Sequence, residues 1–127
     1  MEKLQQTAAP IGRIFLSSIF VLSGMSKISG YAATQGYMEA MGVPGALLPA
    51  VIVLEIFGGL AVVLGWHTRV AAFLLAGFSL LSAVMFHADF SDQTQFIMFM
   101  KNVALAGGLL MLVSLGAGAF SLDRRSS

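Results

Sequence analysis

Cysteine is absent from this chain of 127 residues. Its absence excludes structural disulfides, thiolate metal ligands, cysteine nucleophiles and a dithiol relay. Charged residues are also scarce, at 10% of the sequence, whereas soluble domains contain about 25%. The net charge of +1 provides no electrostatic attraction for nucleic acid or for an acidic partner. What remains is an unusually apolar chain.

Apolar residues make up 57% of the sequence and are concentrated in four stretches. A helix needs about 20 mostly apolar residues to cross a bilayer, and each stretch is long enough. The stretches cover residues 8–26, 47–65, 70–88 and 96–117. None carries the wide polar stripe that a helix of a soluble bundle requires. The sequence therefore predicts an all-α integral membrane four-helix bundle, formed by a single domain over residues 1–127.

The first connection, residues 29–46, is long and contains four glycines and Pro44 as helix breakers. Between these breakers, residues 37–41 are expected to form a short interfacial helix in the first outer loop. Tyr31 and Tyr37 suit the headgroup level, where aromatic rings with a polar tip are enriched. The other two connections, residues 66–69 and 89–95, are short and polar.

The distribution of lysine and arginine predicts the orientation in the membrane. An even number of spans places both termini on one side. That side has five basic residues and the opposite side has two: Lys3, Arg13, Arg69, Arg124 and Arg125 against Lys27 and Lys101. By the positive-inside rule, both termini are cytoplasmic in a bacterial inner membrane.

Small residues are expected to hold the spans together, because lipid tails are as apolar as leucine and provide no hydrophobic drive for association. Residues four apart in the sequence form three small pairs, and two adjacent glycine pairs add further notches. These are Ala61/Gly65, Ala72/Ala76 and Ala104/Gly108, with Gly58-Gly59 and Gly107-Gly108. The pattern indicates a tight bundle.

Charged side chains inside the spans are the most informative residues, because each costs about 2.5–3.5 kcal/mol at mid-bilayer and is usually partnered. Glu55 lies about 12 Å from the outer surface and Lys101 about 7 Å, at 1.5 Å per helical residue. This similar depth predicts a buried ion pair between them, with Asn102 beside it. His87 and Lys27 end their spans on the same side, so each span contributes a polar group to the outer half.

Two interpretations of these five polar residues remain open. In one, Glu55 and Lys101 neutralise each other and fix the helix register, while His87 and Lys27 are interface residues. In the other, the group lines a polar pocket that binds a small molecule or relays protons. Gly58 and Gly59 favour the pocket, since they follow Glu55 on the same helical face and would leave room beside the carboxylate.

Two further features have simpler interpretations. Arg13 lies about one turn from the cytoplasmic end and is expected to anchor the first span at the headgroups, with Asp123 as a candidate partner. Six of the eight methionines fall in the outer half near His87. Thioethers with one imidazole suit Cu(I), but methionine more often fills gaps, so no metal site is predicted.

Four segments resemble the DoxX family: residues 37–44 (YMEAMGVP), 54–59 (LEIFGG), 86–90 (FHADF) and 99–102 (FMKN). The resemblance covers nearly the whole chain and keeps the order and spacing of the four spans. It implies a small four-span inner-membrane protein. Some relatives are linked to quinone-dependent oxidation of sulfur compounds or to oxidative-stress complexes with soluble partners. The resemblance implies that the polar residues at the matching positions of this chain are Glu55, His87, Lys101 and Asn102.

These observations predict a redox-associated accessory subunit with an outward-facing pocket for a quinone or another small molecule. Lys101 and His87 would donate hydrogen bonds to a carbonyl or an anion, and Glu55 would take or give a proton. No motif encodes a cofactor, since cysteine is absent and His67 and His87 lie at opposite membrane faces, and no catalytic residue is assigned. Electrons would come from a soluble or membrane redox partner or a bound organic cofactor. The partner could also be a second copy of the chain, in a homo-oligomer. The alternative functions are a non-enzymatic membrane scaffold and a small-molecule carrier.

Overall fold

Four long helices and one short helix account for most of the chain in the computed structural model, which describes residues 2–118 and 120–123. The helices are α1 (Glu2–Ser29), α2 (Tyr31–Ala40), α3 (Leu48–Leu64), α4 (Thr68–Phe86) and α5 (Gln93–Leu115), and a 3₁₀ turn, Gly45–Leu47, leads into α3. In this described part of the chain, four helical segments are long and apolar enough to cross a membrane: α1, α4, α5, and α3 together with the 3₁₀ turn before it. The predicted all-α four-span architecture is confirmed.

Large apolar side chains remain exposed on the outer faces of all four long helices. One example from each is Phe15, Phe57, Phe73 and Met111. A soluble protein of this size would bury most of these side chains, whereas lipid tails are a favourable environment for them. The exposed surface therefore agrees with insertion in a bilayer.

The helix boundaries differ from the predicted spans by a few residues. α1 begins at Glu2 rather than near residue 8, because the helix continues through a polar segment that hydropathy does not detect. In this segment the hydroxyl of Thr7 donates to the carbonyl of Lys3 at 2.8 Å. α5 begins at Gln93 because the Asp92 side chain accepts from the backbone N–H groups of Thr94 and Gln95.

The helices pack in the order α1, α3, α4, α5, and α1 and α5 touch only weakly. Gly24 and Gly59 allow the close approach of α1 and α3: a Cβ at Gly24 would lie 2.5 Å from Ile56 Cγ1, and one at Gly59 would lie 2.8 Å from Val21 Cγ2. The larger core cluster is at the centre of the bundle. It consists of Phe20, Val62, Ala71, Ala72, Leu75, Ala76, Ala106 and Leu109.

Small residues pack the helices at some of the predicted positions. Ala72 and Ala76 are buried in the core, and Gly58 packs against the side chain of Leu75. At Gly107, in contrast, an added Cβ would meet nothing within 4 Å. The prediction that Gly58 and Gly59 leave room beside the Glu55 carboxylate is wrong, because neighbouring side chains already fill the notches at both glycines. Glycine next to a buried charge indicated close helix packing rather than a void.

Helix α2 packs across the start of α3 and the end of α4. Its buried Met38 joins Val43 and Leu48 in a second apolar cluster, which Phe86 also contacts. The Tyr37 and Phe86 rings stack with their centroids 5.5 Å apart. The helix in the first loop is therefore present and longer than residues 37–41. Its position at the membrane interface remains a prediction.

Arg13 faces the inside of the bundle, with 2% of its surface exposed, so the predicted interface anchor is wrong. Its Nη1 donates to the carbonyls of Val62 (3.1 Å) and Val63 (3.0 Å), and Nη2 donates to the carbonyl of Phe120. The last carbonyls of a helix lack intrahelical donors. Arg13 supplies donors to the end of α3, which explains why its guanidinium is turned inwards.

Asp123 caps the start of α4 from a distant part of the chain. Its Oδ1 accepts from the backbone N–H of His67 at 2.7 Å, and Oδ2 accepts from that of Thr68 at 2.9 Å. Burial acts to raise the pKa of Asp123, but hydrogen bonds from the side chain and backbone of Thr68 and the backbone of His67 outweigh burial, and the pKa lies below its ordinary value of 3.8. Arg124 and Arg125, which entered the charge comparison, lie outside the described residues.

Candidate functional site

A cavity of about 360 Å³ lies between the second halves of α1 and α4 and the first halves of α3 and α5. All five polar residues singled out from the sequence line it: Lys27 from α1, Glu55 from α3, His87 at the end of α4, and Lys101 and Asn102 from α5. The structure therefore brings the whole predicted set together. Its role as a ligand site remains a prediction.

Glu55 is paired with Lys27, not with Lys101 as predicted. The Lys27 Nζ lies 2.7 Å from Glu55 Oε1, and 4% of the Glu55 side chain is exposed. Lys27 also donates to the Ser23 hydroxyl at 2.6 Å. The contact at Oε1 satisfies charge rather than hydrogen-bond geometry, since that oxygen has no aligned donor among the described residues.

Lys101 has a much weaker contact. Its ammonium nitrogen lies 3.8 Å from the Met98 sulfur, and within the described part of the chain it forms no ion pair. The order of the helices explains why Glu55 does not pair with Lys101. Helix α3 packs beside α1 and α4, whereas α5 packs beside α4. Residues at the same depth on α3 and α5 therefore face each other across the cavity. Lys27 is therefore neutralised by Glu55, whereas Lys101 has no carboxylate partner among the described residues.

His87 has a fixed partner on α5. Its ring Nδ1 lies 2.8 Å from Oε1 of Gln95, so the histidine ring is held by a hydrogen bond across the α4–α5 turn. If Nδ1 carries the proton, it donates to the amide oxygen and leaves Nε2 as an acceptor. Nothing in the sequence distinguished Gln95, because its contact with His87 arises from the turn that folds α5 back against α4.

Two serines contribute polar groups that sequence reasoning missed. Ser23 accepts from Lys27, and the hydroxyl of Ser79 is buried without a hydrogen-bond partner among the described residues. Both line the cavity. A buried unpartnered hydroxyl is unfavourable, so a ligand or water that bonds to Ser79 would be stabilised. Single serines are common in membrane spans, and nothing in the sequence distinguished these two.

The remaining cavity walls are mostly apolar and aromatic. Phe20, Phe78 and Leu105 line the part of the cavity nearer the middle of the bundle, while Tyr37 and Phe86 lie at its end beside α2. Apolar walls with a few polar groups are typical of sites for organic molecules, which are held by the walls and oriented by the polar atoms.

The described residues contain no group of three or more histidine, cysteine, aspartate or glutamate side chains placed to hold an ion. His67 and His87 flank the two ends of α4, a separation of about 28 Å for a helix of its length. Met98, one of the outer methionines, has its sulfur against Lys101.

Comparison with known proteins identifies relatives along most of the chain. A family model described as DoxX matches residues 8–88. The inner membrane protein YqjF of Escherichia coli (strain K12) is 49% identical over 124 residues, which cover 98% of this chain and 95% of that protein. The inner membrane protein YphA of the same organism is 39% identical over 123 residues, which cover 91% and 87%.

A more distant relative carries a name that refers to an activity. CatD of Bacillus subtilis (strain 168), by name a proposed oxidoreductase, is 25% identical over 111 residues, which cover 84% of this chain and 82% of that protein. No solved structure matches the chain.

Proposed function

This chain belongs to the DoxX family, and from this premise we propose that it is a redox-associated accessory subunit of the inner membrane that holds a quinone or another small organic molecule. The observation that carries the proposal is the convergence of five polar residues from the four long helices on one cavity of about 360 Å³. This volume is within the range of about 300–1,000 Å³ for small-molecule sites.

The cavity residues suit a ring that bears carbonyl groups. Lys101 has a thioether as its contact, and thioethers are weak acceptors, so its ammonium can donate to a ligand carbonyl. His87 donates to Gln95 through Nδ1 and would present Nε2 as an acceptor, which suits a hydroxyl of the reduced ligand rather than the carbonyl predicted from the sequence. The apolar walls would bind the ring faces and exclude water.

Glu55 is the group that would exchange a proton. Its carboxylate is buried beside Lys27, and a buried carboxylate within reach of a ligand can serve as a general acid or base. A bound quinone would supply the two-electron chemistry that amino-acid side chains lack. The residues of this chain would bind it, orient it and provide the proton.

One observation supports a redox association: the relative CatD is by name a proposed oxidoreductase. This chain has no cysteine with which to hold an iron–sulfur cluster of its own. Electrons would therefore be delivered by a soluble or membrane partner protein. We propose accordingly that this chain is the quinone-holding member of a small assembly.

The proposed orientation places both termini in the cytoplasm and the cavity in the outer half of the bilayer. The Arg13 side chain of α1 reaches the carbonyl of Phe120, so the first helix and the segment after α5 meet at the same end of the bundle. The basic residues at that end favour the cytoplasmic side.

The decisive experiment is purification in a mild detergent, followed by mass spectrometry of the small molecules and proteins that co-purify. We expect a quinone with the unchanged protein and its loss from the double variant Lys27→Met/Glu55→Gln, which removes both charges together. Phe15→Leu, on a lipid-facing surface, is the control and should retain the molecule. A polypeptide partner without any small molecule would support the scaffold alternative and overturn the proposed pocket.

A further inference from the structure

The outer end of the cavity is closed by packed side chains. Met38 and Val43 are buried against Leu48 and Phe86, and Tyr37 stacks on Phe86 at 5.5 Å between ring centroids. A ligand arriving from the aqueous side along the bundle axis would have to separate this apolar cluster. The route into the cavity is therefore more favourable from the side.

The side of the cavity is open between the outer halves of α3 and α4. Leu47, Leu81 and Met85 line the cavity and yet are 50%, 60% and 38% exposed. These exposed lining residues place a mouth on this side of the cavity. Tyr37 also lines the cavity and is 48% exposed, but its ring is stacked on Phe86 at the closed end. Towards the cytoplasmic end the same two helices close together, where Gly58 packs against Leu75.

The mouth and the interior differ in chemistry. The residues at the mouth are the exposed Leu47, Leu81 and Met85 with the half-buried Val51, and all four are apolar; Ser82 of α4 also lines the cavity. The wall on the side of α1 and α5, where these two helices touch only weakly, carries the ammonium groups of Lys27 and Lys101. An alkyl chain that left through that wall would pass two charges. One that left between α3 and α4 would contact only apolar side chains before it reached lipid, in which it is equally soluble.

We propose that the ligand is a tailed amphiphile of the membrane phase, with its polar ring beside Glu55 and Lys101 and its tail leaving sideways through the mouth formed by Leu47, Val51, Leu81 and Met85. This inference rests on the proposed function and narrows its ligand class to molecules with an alkyl or isoprenoid tail. The closed outer end excludes rapid exchange with water, so the ligand enters and leaves through the outer leaflet.

A matched pair of substitutions on α4 tests the mouth. Leu81 and Val84 are 60% and 62% exposed and three residues apart, but only Leu81 lines the cavity. The probes are decylubiquinone, which has a ten-carbon tail, and its tail-less ring analogue 2,3-dimethoxy-5-methyl-1,4-benzoquinone. Affinities are measured in nanodiscs of identical lipid, so that partitioning of the probe cancels between variants.

Leu81→Trp should fill the mouth and weaken decylubiquinone binding about tenfold, because the indole ring blocks the path of the tail from the cavity to the lipid. The tail-less ring should bind as to the unchanged protein, and Val84→Trp should alter neither affinity. Val51→Trp, on the α3 side of the mouth, should reproduce the selective loss if Leu81→Trp does not fold. Unchanged decylubiquinone binding, or equal weakening of both probes, overturns the lateral mouth. Failure of both probes to bind the unchanged protein overturns the proposed quinone site as well.

Discussion

The ammonium nitrogen of Lys27 lies 2.7 Å from Oε1 of Glu55 and so connects the C-terminal end of α1 to the middle of α3. The two partners are unequally buried: 25% of the lysine side chain is exposed, but only 4% of the glutamate side chain. The lysine can turn towards water or headgroups when its partner is lost, whereas the glutamate cannot. The consequences of removing each partner should therefore differ.

Lys27→Met should destabilise the protein more than Glu55→Gln, because it leaves a buried carboxylate without a counter-charge. We expect a loss of about 3 kcal/mol for Lys27→Met, at the lower end of the range for broken buried pairs. The double variant should recover part of this loss. Thermal unfolding of all four proteins in one detergent gives the coupling energy as a double-mutant cycle.

Lys101→Met is the control for that cycle. Lys101 lines the same cavity but contacts only a thioether, so its removal should leave the melting temperature nearly unchanged. A strong coupling between Glu55 and Lys101, with none between Glu55 and Lys27, would contradict the arrangement described.

Arg13→Met should lower the free energy of unfolding by about 3 kcal/mol or more, because three backbone carbonyls lose a charged donor in a dry environment. Arg13→Lys should rescue little, since one ammonium cannot reproduce the planar fork that reaches both the end of α3 and Phe120. Lys3→Met, which removes an exposed positive charge from the same helix, should have little effect. Equal melting temperatures for Arg13→Met and Lys3→Met would show that the buried guanidinium is not structural.

Asp123 should make stability depend on pH in the acidic range. Because the folded-state pKa of Asp123 is lowered, its contribution is complete above its ordinary pKa of 3.8 and is lost as the pH falls through the lowered value. Asp123→Asn retains a capping acceptor but does not titrate. The stability of this variant should therefore fall less than that of the unchanged protein between about pH 4 and pH 2. The measurement is the difference in melting temperature between the two proteins across this range. A difference that does not vary with pH would show that the carboxylate charge plays no part.

Gly24→Ala should force α1 and α3 apart, because the new methyl group would lie 2.5 Å from Ile56 Cγ1 and 3.3 Å from Glu55 Cβ. Overpacking of this kind costs about 1–3 kcal/mol. Gly77→Ala is the matched control, since an added Cβ there meets nothing within 4 Å. The melting temperature should fall for the first variant and be unchanged or slightly raised for the second.

The proposed orientation predicts where reporters will be active. A fusion after Ser127 should report a cytoplasmic location, and insertions near Gly36 or Asp92 should report an external one. A phosphatase that is active only outside and a fluorescent protein that matures only inside make a suitable pair. An external signal at Ser127 would reverse the orientation and place the cavity in the cytoplasmic half.

The sequence was sufficient for the four spans because length and apolar content alone decide membrane insertion. The prediction that Glu55, Lys101 and His87 lie close together also came from the sequence, because depth along a span can be counted in residues. Depth does not reveal which helices are neighbours, so the partner of Glu55 was wrongly predicted. Arg13 shows the same limit: its distance from the membrane surface suggested an anchor, but its position around the helix axis turns it inwards.

The contacts of Arg13 also constrain how the protein can be assembled during synthesis. Its first carbonyl partner is 49 positions further along the chain and its last is 107 positions further. When the ribosome delivers the first helix to the bilayer, the guanidinium has none of these partners and must remain among water or headgroups. It can move inside only after α3 has been inserted and residue 120 has emerged. Biogenesis of this bundle therefore has a late step, in which an arginine leaves the membrane surface and enters the protein.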